Sequence, residues 1–161
     1  MNRIRHAAAL LSSVLLAAAF AAPSAQAQDI NGRPNYGTVN LRSGFTPDPA
    51  VTALQSGGNI NAERLGGGCR GYISASPDKR LVYTSGNYPL IISVDSGADT
   101  TLVVNAPDGR WYCDDDGGVN GLNPALRFDR PQSGRYEIWV GTYGSSRLES
   151  ARLNISEVGS R

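Results

Sequence analysis

Apolar residues recur at every second position along much of this chain, rather than with the 3.6-residue stripe of an amphipathic helix. In Leu90-Ile91-Ile92-Ser93-Val94, positions 90, 92 and 94 share one face, and the same alternation marks Leu126 to Asp129, Tyr136 to Val140 and Leu153 to Ser156. A period of two is the pattern of a strand with one face against a core. Tyr36 to Phe45, Val51 to Gln55, Gly71 to Ser74, Arg80 to Thr84, Thr100 to Asn105 and Arg110 to Cys113 extend the set to roughly eight to ten short strands. Ser76-Pro77-Asp78, Gly86-Asn87, Ala106-Pro107-Asp108-Gly109 and Pro131-Gln132-Ser133-Gly134 supply turns between them. Ser56 to Gly68 has no such pattern and reads as a long connection. There is no internal repeat. The pattern predicts an all-β fold, a single antiparallel β-sandwich of jelly-roll or Greek-key type.

The first 27 residues read differently. Arg3 and Arg5 precede an apolar, alanine-rich run from Ala7 to Ala22, and Ala25-Gln26-Ala27 offers small residues at both positions of an A-x-A cleavage site. The run is short for a segment that must cross about 20 residues' worth of hydrocarbon. A secretory signal peptide cleaved after Ala27 is therefore expected, with a secreted or periplasmic product and no membrane span after cleavage. No cysteine follows closely enough to carry a lipid.

Cleavage changes the chemistry of what remains. It removes 27 of 161 residues and the only histidine, His6, and leaves 13 basic against 14 acidic side chains, a net charge of −1. With Lys79 the single lysine and the arginines scattered, no basic stripe exists to neutralise successive phosphates, which argues against a nucleic-acid partner. The remaining 134 residues suffice for one domain. Cys69 and Cys113, in a compartment that permits oxidation, read as one disulfide, with a loop closure worth roughly 4 kcal/mol in the chain-entropy model. A pair of metal thiolates would need further soft ligands that a histidine-free chain lacks.

The densest chemistry lies in Trp111-Tyr112-Cys113-Asp114-Asp115-Asp116-Gly117-Gly118, followed by Asn120 and Asn123-Pro124. Adjacent carboxylates repel one another, and a hard dication such as calcium, which takes several oxygen ligands, relieves that repulsion. In an extended segment neighbours point to opposite sides, so Gly117-Gly118 must supply a turn if all three are to meet one ion. An EF-hand is excluded, because counting from Asp114 puts Val119 at the required glycine and Ala125 at the required glutamate. A solvated acidic hairpin loop is the alternative reading.

Asp99-Thr100-Thr101-Leu102-Val103-Val104, Pro107-Asp108-Gly109, Asp114 to Gly118, Asn123-Pro124 and Pro131 to Val140 follow one another in an order that resembles the bacterial pre-peptidase C-terminal domain family. Its members are β-sandwiches related to the collagen-binding domains of clostridial collagenases, commonly calcium-binding and often appended to secreted peptidases. The resemblance spans about residues 70 to 157. It implies calcium ligation by some of Asp99, Asp114, Asp115 and Asp116, with Asn123 nearby. Two departures mark this chain: no peptidase domain accompanies the module of residues 69–161, and residues 28–68 precede it as an extension with edge strands. Collagen binding is not carried over.

A second signal, Val94-Asp95-Ser96-Gly97, resembles the catalytic loop of retropepsin-like aspartic peptidases. That chemistry needs two carboxylates sharing a proton, so Asp95 would have to act in a homodimer. The other catalytic patterns fail. A Ser-His-Asp triad needs a histidine. Ser76-Pro77-Asp78-Lys79 matches S-x-x-K but reads as a turn, and Gly66 to Gly71 matches G-x-G-x-x-G without a strand before or a helix after it.

Trp111, Trp139 and Tyr143 are placed by alternation on the face opposite Tyr136, Ile138 and Val140, where they either form a binding platform or, for Trp139, cover the disulfide. The expectation is thus a non-catalytic, calcium-binding module that binds an extracellular or periplasmic protein or polymer or serves a peptidase as an accessory domain. A homodimeric aspartic peptidase and a purely structural envelope protein are the alternatives.

Overall fold

A computed structural model describes residues 28–161; the expected signal peptide, residues 1–27, lies outside the described residues. Eleven strands form two open sheets, so the chain is an all-β sandwich. In one sheet β1 (Thr38–Arg42), β5 (Lys79–Thr84), β10 (Gly134–Thr142), β7 (Thr100–Asn105) and β8 (Trp111–Asp114) lie side by side, and β4 (Tyr72–Ile73) and β3 (Ile60–Asn61) continue from the far end of β10. The other sheet has the order β2 (Ala50–Ser56), β11 (Glu149–Ser156), β6 (Leu90–Ser96), β9 (Ala125–Phe128). All pairs are antiparallel except β1 with β5. That parallel pair is joined by the whole stretch from Ser43 to Asp78, the kind of long crossover such pairing demands. No helix among the described residues is long and apolar enough to cross a membrane.

The alternation read from the sequence builds the core between the sheets. Leu90, Ile92 and Val94 of β6, Leu153 and Ile155 of β11, Leu81 and Tyr83 of β5, Leu102 and Val104 of β7, and Tyr136, Ile138 and Val140 of β10 are all buried there. Phe128 packs edge-on between Tyr112 and Tyr136, with ring centroids 5.1 and 5.5 Å apart.

Ser56 to Gly68 is more structured than its sequence suggests. It contributes β3 and a 3₁₀ turn at Ala62–Leu65, capped by the Asn61 side chain accepting the Glu63 amide. Ile60 and Ala62 from this stretch join Cys69, Ile73, Val103 and Trp139 in a second buried cluster on the outer side of the larger sheet. β7 and β10 are therefore covered on both faces. The N-terminal residues close the same side. Glu137, nearly inaccessible, accepts from Arg80 Nε at 2.6 Å and Arg135 Nε at 2.8 Å. The two guanidinium groups reach on to the carbonyls of Ile30 and Gly32 and to Asn31 Oδ1.

Asp78 joins three parts of the fold from inside. Its Oδ2 accepts the Val140 amide at 2.8 Å, and its Oδ1 accepts from Asn35 at 3.0 Å and Ser74 at 3.3 Å. Burial pushes its pKa up to about 6, against the opposing pull of those hydrogen bonds, of which the Val140 amide is the strongest. The folded state thus holds a proton that the unfolded chain releases near pH 4, and the associated stability is lost as pH rises from about 4 to about 6. Relative to Asp78→Asn, the wild-type protein is expected to lose up to about 3 kcal/mol between pH 4 and pH 7. Parallel pH profiles of denaturant midpoints in the two proteins would contradict this.

Candidate functional site

One end of the sandwich gathers the β6–β7 turn, the β8–β9 connection and the residues after β10. The β7–β8 register stops at Leu102 opposite Asp114, so Asp99 and Asp115 lie just beyond the paired segments. Hydrogen bonds draw the loops together: Thr100 N to the Leu122 carbonyl, Tyr143 N to the Asp99 carbonyl, and Gly118 N to the Asn123 carbonyl, at 2.9 to 3.0 Å.

Of the five proposed metal ligands, three converge. Carboxylate oxygens of Asp99, Asp115 and Asp116 lie within 4.8 Å of one another. Asp99 and Asp115 are partly buried and Asp116 is exposed. The Oδ1 atoms of Asp99 and Asp115 are buried and have no hydrogen-bond partner. Burial raises the pKa of both groups. The Asp116 charge adds to the shift at Asp99; at Asp115, Asp116, Asp99 and Asp114 add to it while Arg70 opposes it.

The other two serve as struts. Asp114 Oδ2 accepts the amides of Gly117 and Ala125, each at 2.8 Å, and so closes the base of the loop. A Cβ on Gly117 would come within 2.6 Å of that carboxylate, and one on Gly118 within 2.5 Å of the Asn123 carbonyl. Gly118 is thus required by its approach to backbone, and a side chain at position 117 would push the Asp114 carboxylate aside. Asn123 is buried, accepts from Thr100 Oγ1 at 2.7 Å and donates to the Ser96 carbonyl at 2.9 Å, which leaves it committed to the fold.

Cys69 and Cys113 are joined in a disulfide. Trp139 is fully buried in the second cluster, beside this bridge, with its ring centroid 5.3 Å from that of Trp111. It is therefore not a surface binding aromatic. Alternation placed it on the outer face correctly, but residues 57–76 cover that face. Trp111 is half-buried and Tyr143 is exposed. Near Tyr143, in the loop bearing the carboxylates, Val119 and Leu122 are 66% and 56% exposed, an apolar rim that the sequence reading passed over. Arg70, next to Cys69, was passed over too.

Asp95 lies within β6, opposite Arg152 of β11, rather than in a turn beyond a strand. Ser96 Oγ is engaged with the Ser150 carbonyl and the Ala98 amide. Asp95 and Arg152 instead line an open groove of about 700 Å³ with Tyr36, Gln55 and Ser150, adjoining a cleft of about 540 Å³ that reaches Asn35, Asn59 and Asp78.

No family model matches the sequence, and no curated protein matches it. Among solved structures the chain is similar to PliG of Aeromonas hydrophila, a periplasmic lysozyme inhibitor of g-type lysozyme. The sequences are 14% identical, the match covers 74% of this chain and 96% of that one, and the TM-score is 0.37.

Proposed function

We propose that this chain is a secreted, non-catalytic β-sandwich that binds calcium through Asp99, Asp115 and Asp116 and presents the surrounding surface to a protein or polymer outside the cytoplasm. The observation that carries the reading is the convergence of three carboxylates within 4.8 Å, two of which each keep a buried oxygen without a partner. Orphaned buried acceptors are costly, and mutual repulsion adds to the cost. A hard dication supplies the partner that Asp99 and Asp115 lack and offsets the charge of all three, and an all-oxygen donor set suits calcium. The arrangement is compatible with the metal implied by the pre-peptidase C-terminal resemblance, and this reading assigns ligation to three of the five candidates.

Bound calcium would neutralise the repulsion and fix the loop bearing Val119 and Leu122 beside Tyr143, so that the apolar rim is held in one shape for a partner. With no histidine in residues 28–161, this end has no ordinary general base near neutral pH, which favours binding over catalysis.

The test is thermal unfolding with calcium and with chelator. Calcium at 100 times its dissociation constant is expected to add about 2.7 kcal/mol. Asp115→Asn is expected to weaken calcium binding at least about tenfold, while leaving the calcium-free protein as stable as wild type or slightly more so, because one repulsive charge is gone. A melting temperature moved by neither calcium nor chelator would overturn the reading and leave a solvated acidic loop on a structural protein.

A further inference from the structure

β2 is the edge of its sheet and pairs with β11 alone. Gln55 donates its amide away from β11, to Tyr36 Oη at 2.9 Å. Because main-chain groups alternate sides along a strand, Val51 and Ala53 also point their N–H and C=O groups outward. These have no partner among the described residues. The open ladder is limited on both sides. Pro49 has no N–H to offer, and Gly57 turns its amide back to the Val140 carbonyl. Val51 and Ala53 remain open, and Gln55, whose carbonyl also points outward, is held only by the Tyr36 hydroxyl, so the outward set 51, 53 and 55 is centred on Ala53.

Natural edge strands are usually protected by charge or proline within the strand. β2, Ala-Val-Thr-Ala-Leu-Gln-Ser, has neither, and Val51 is 53% exposed.

We infer that β2 is an interface between two copies of this chain, paired antiparallel about a two-fold axis at Ala53. In that register Val51 of each copy meets Gln55 of the other, and Ala53 meets Ala53. Val51 and Ala53 of both copies gain partners, each Gln55 exchanges its bond to Tyr36 for one to Val51, and no charge is opposed to its like. The neighbouring strands agree. Across from Ala53 on β11 stands Arg152, and across from Arg152 on β6 stands Asp95, so each copy brings a neutral row. The two Arg152 residues would be three strand spacings apart, about 14 Å, beyond the screening length of about 8 Å in physiological salt. A partner with a longer free strand gains nothing over this match, since Pro49 and Gly57 end the ladder. Tyr36 competes for the Gln55 amide and sets the strength of the pairing.

The test is sedimentation of the purified protein from micromolar to millimolar concentration, with hydrogen exchange at both extremes. Wild type is expected to dimerise reversibly, with the Val51 and Ala53 amides protected only at high concentration. Ala53→Pro, which removes an outward amide and no bond to β11, is expected to remain monomeric. Tyr36→Phe is expected to tighten dimerisation by about tenfold, as each copy gives up one internal hydrogen bond less. Should the proline variant not fold, Ala53→Lys places two ammonium groups face to face and is expected to block association equally. A wild-type protein that stays monomeric, even if β2 captures some other chain, overturns the inference. So does a dimer that leaves the Val51 and Ala53 amides exchanging at one rate throughout.

Discussion

Trp139→Ala is expected to cost about 3–5 kcal/mol, the largest stability loss of any single side-chain truncation in the second cluster. Trp139 is the largest fully buried side chain among the described residues, and it lies where Ile60, Ala62, Ile73, Val103 and the Cys69–Cys113 bridge meet. Nothing nearby can refill the space, because the bridge and the backbone of β10 are fixed. In a domain of this size the loss corresponds to a fall in melting temperature of more than about 10 °C. An exposed binding tryptophan would behave differently, with a change within about 0.5 kcal/mol. Thermal unfolding of the variant decides between the two, and a shift of only a degree or two would contradict the buried placement.

Glu137→Ala is expected to cost nearly as much, about 3–5 kcal/mol, by a different route. The carboxylate is the common anion for Arg80 and Arg135, and the Arg80 side chain is only 18% exposed. Without it, the charge of the largely buried Arg80 is left unpaired beside that of the half-exposed Arg135 while both still reach for the carbonyls of Ile30 and Gly32. The N-terminal residues lose their anchor, so a protease without a basic-residue preference, such as proteinase K, should cut within residues 28–35 faster than in wild type. Replacing Glu137 and Arg80 together by leucine and methionine should recover most of the loss, since a buried ion pair contributes little over an apolar pair of similar volume. A double variant as unstable as the single one would show that the anchoring contacts, not the unpaired charges, set the cost.

The parts of the fold that were legible in the sequence are those where one physical rule acts alone. β5 buries Leu81 and Tyr83 and exposes Val82 and Thr84 between and after them, as the alternation says, and the turn residues carry their own backbone preferences. Ser56 to Gly68 was not legible because its contribution is made one side chain at a time: Ile60, Ala62 and Leu65 follow no period, and glycines intervene. For Trp139 the parity of the strand was readable, but what covers that face comes from residues some 70 positions earlier in the chain. The same holds at the acidic end. Three adjacent aspartates announce a site without saying which of them is spent on it. Asp114 became a strut because the amides of Gly117 and Ala125 turn toward it, and Asn123 because Thr100 and Ser96 claim both ends of its amide. Asp99 entered only through the order of motifs, since 15 or more residues separate it from the others in sequence.

The two-sided covering of β7 and β10 also bears on how such a chain drifts over evolutionary time. β1, β2 and β5 each present one parity of positions to solvent, and those positions are free to vary in hue as long as the other parity stays apolar. β7 and β10 grant no such freedom, because each substitution meets a core whichever way it points. Descendants of one ancestor would therefore diverge in a comb of alternate positions at the flanks and keep an almost continuous word through the middle, Thr100 to Val104 and Tyr136 to Thr142. Distant kinship in such chains is best sought in those two words.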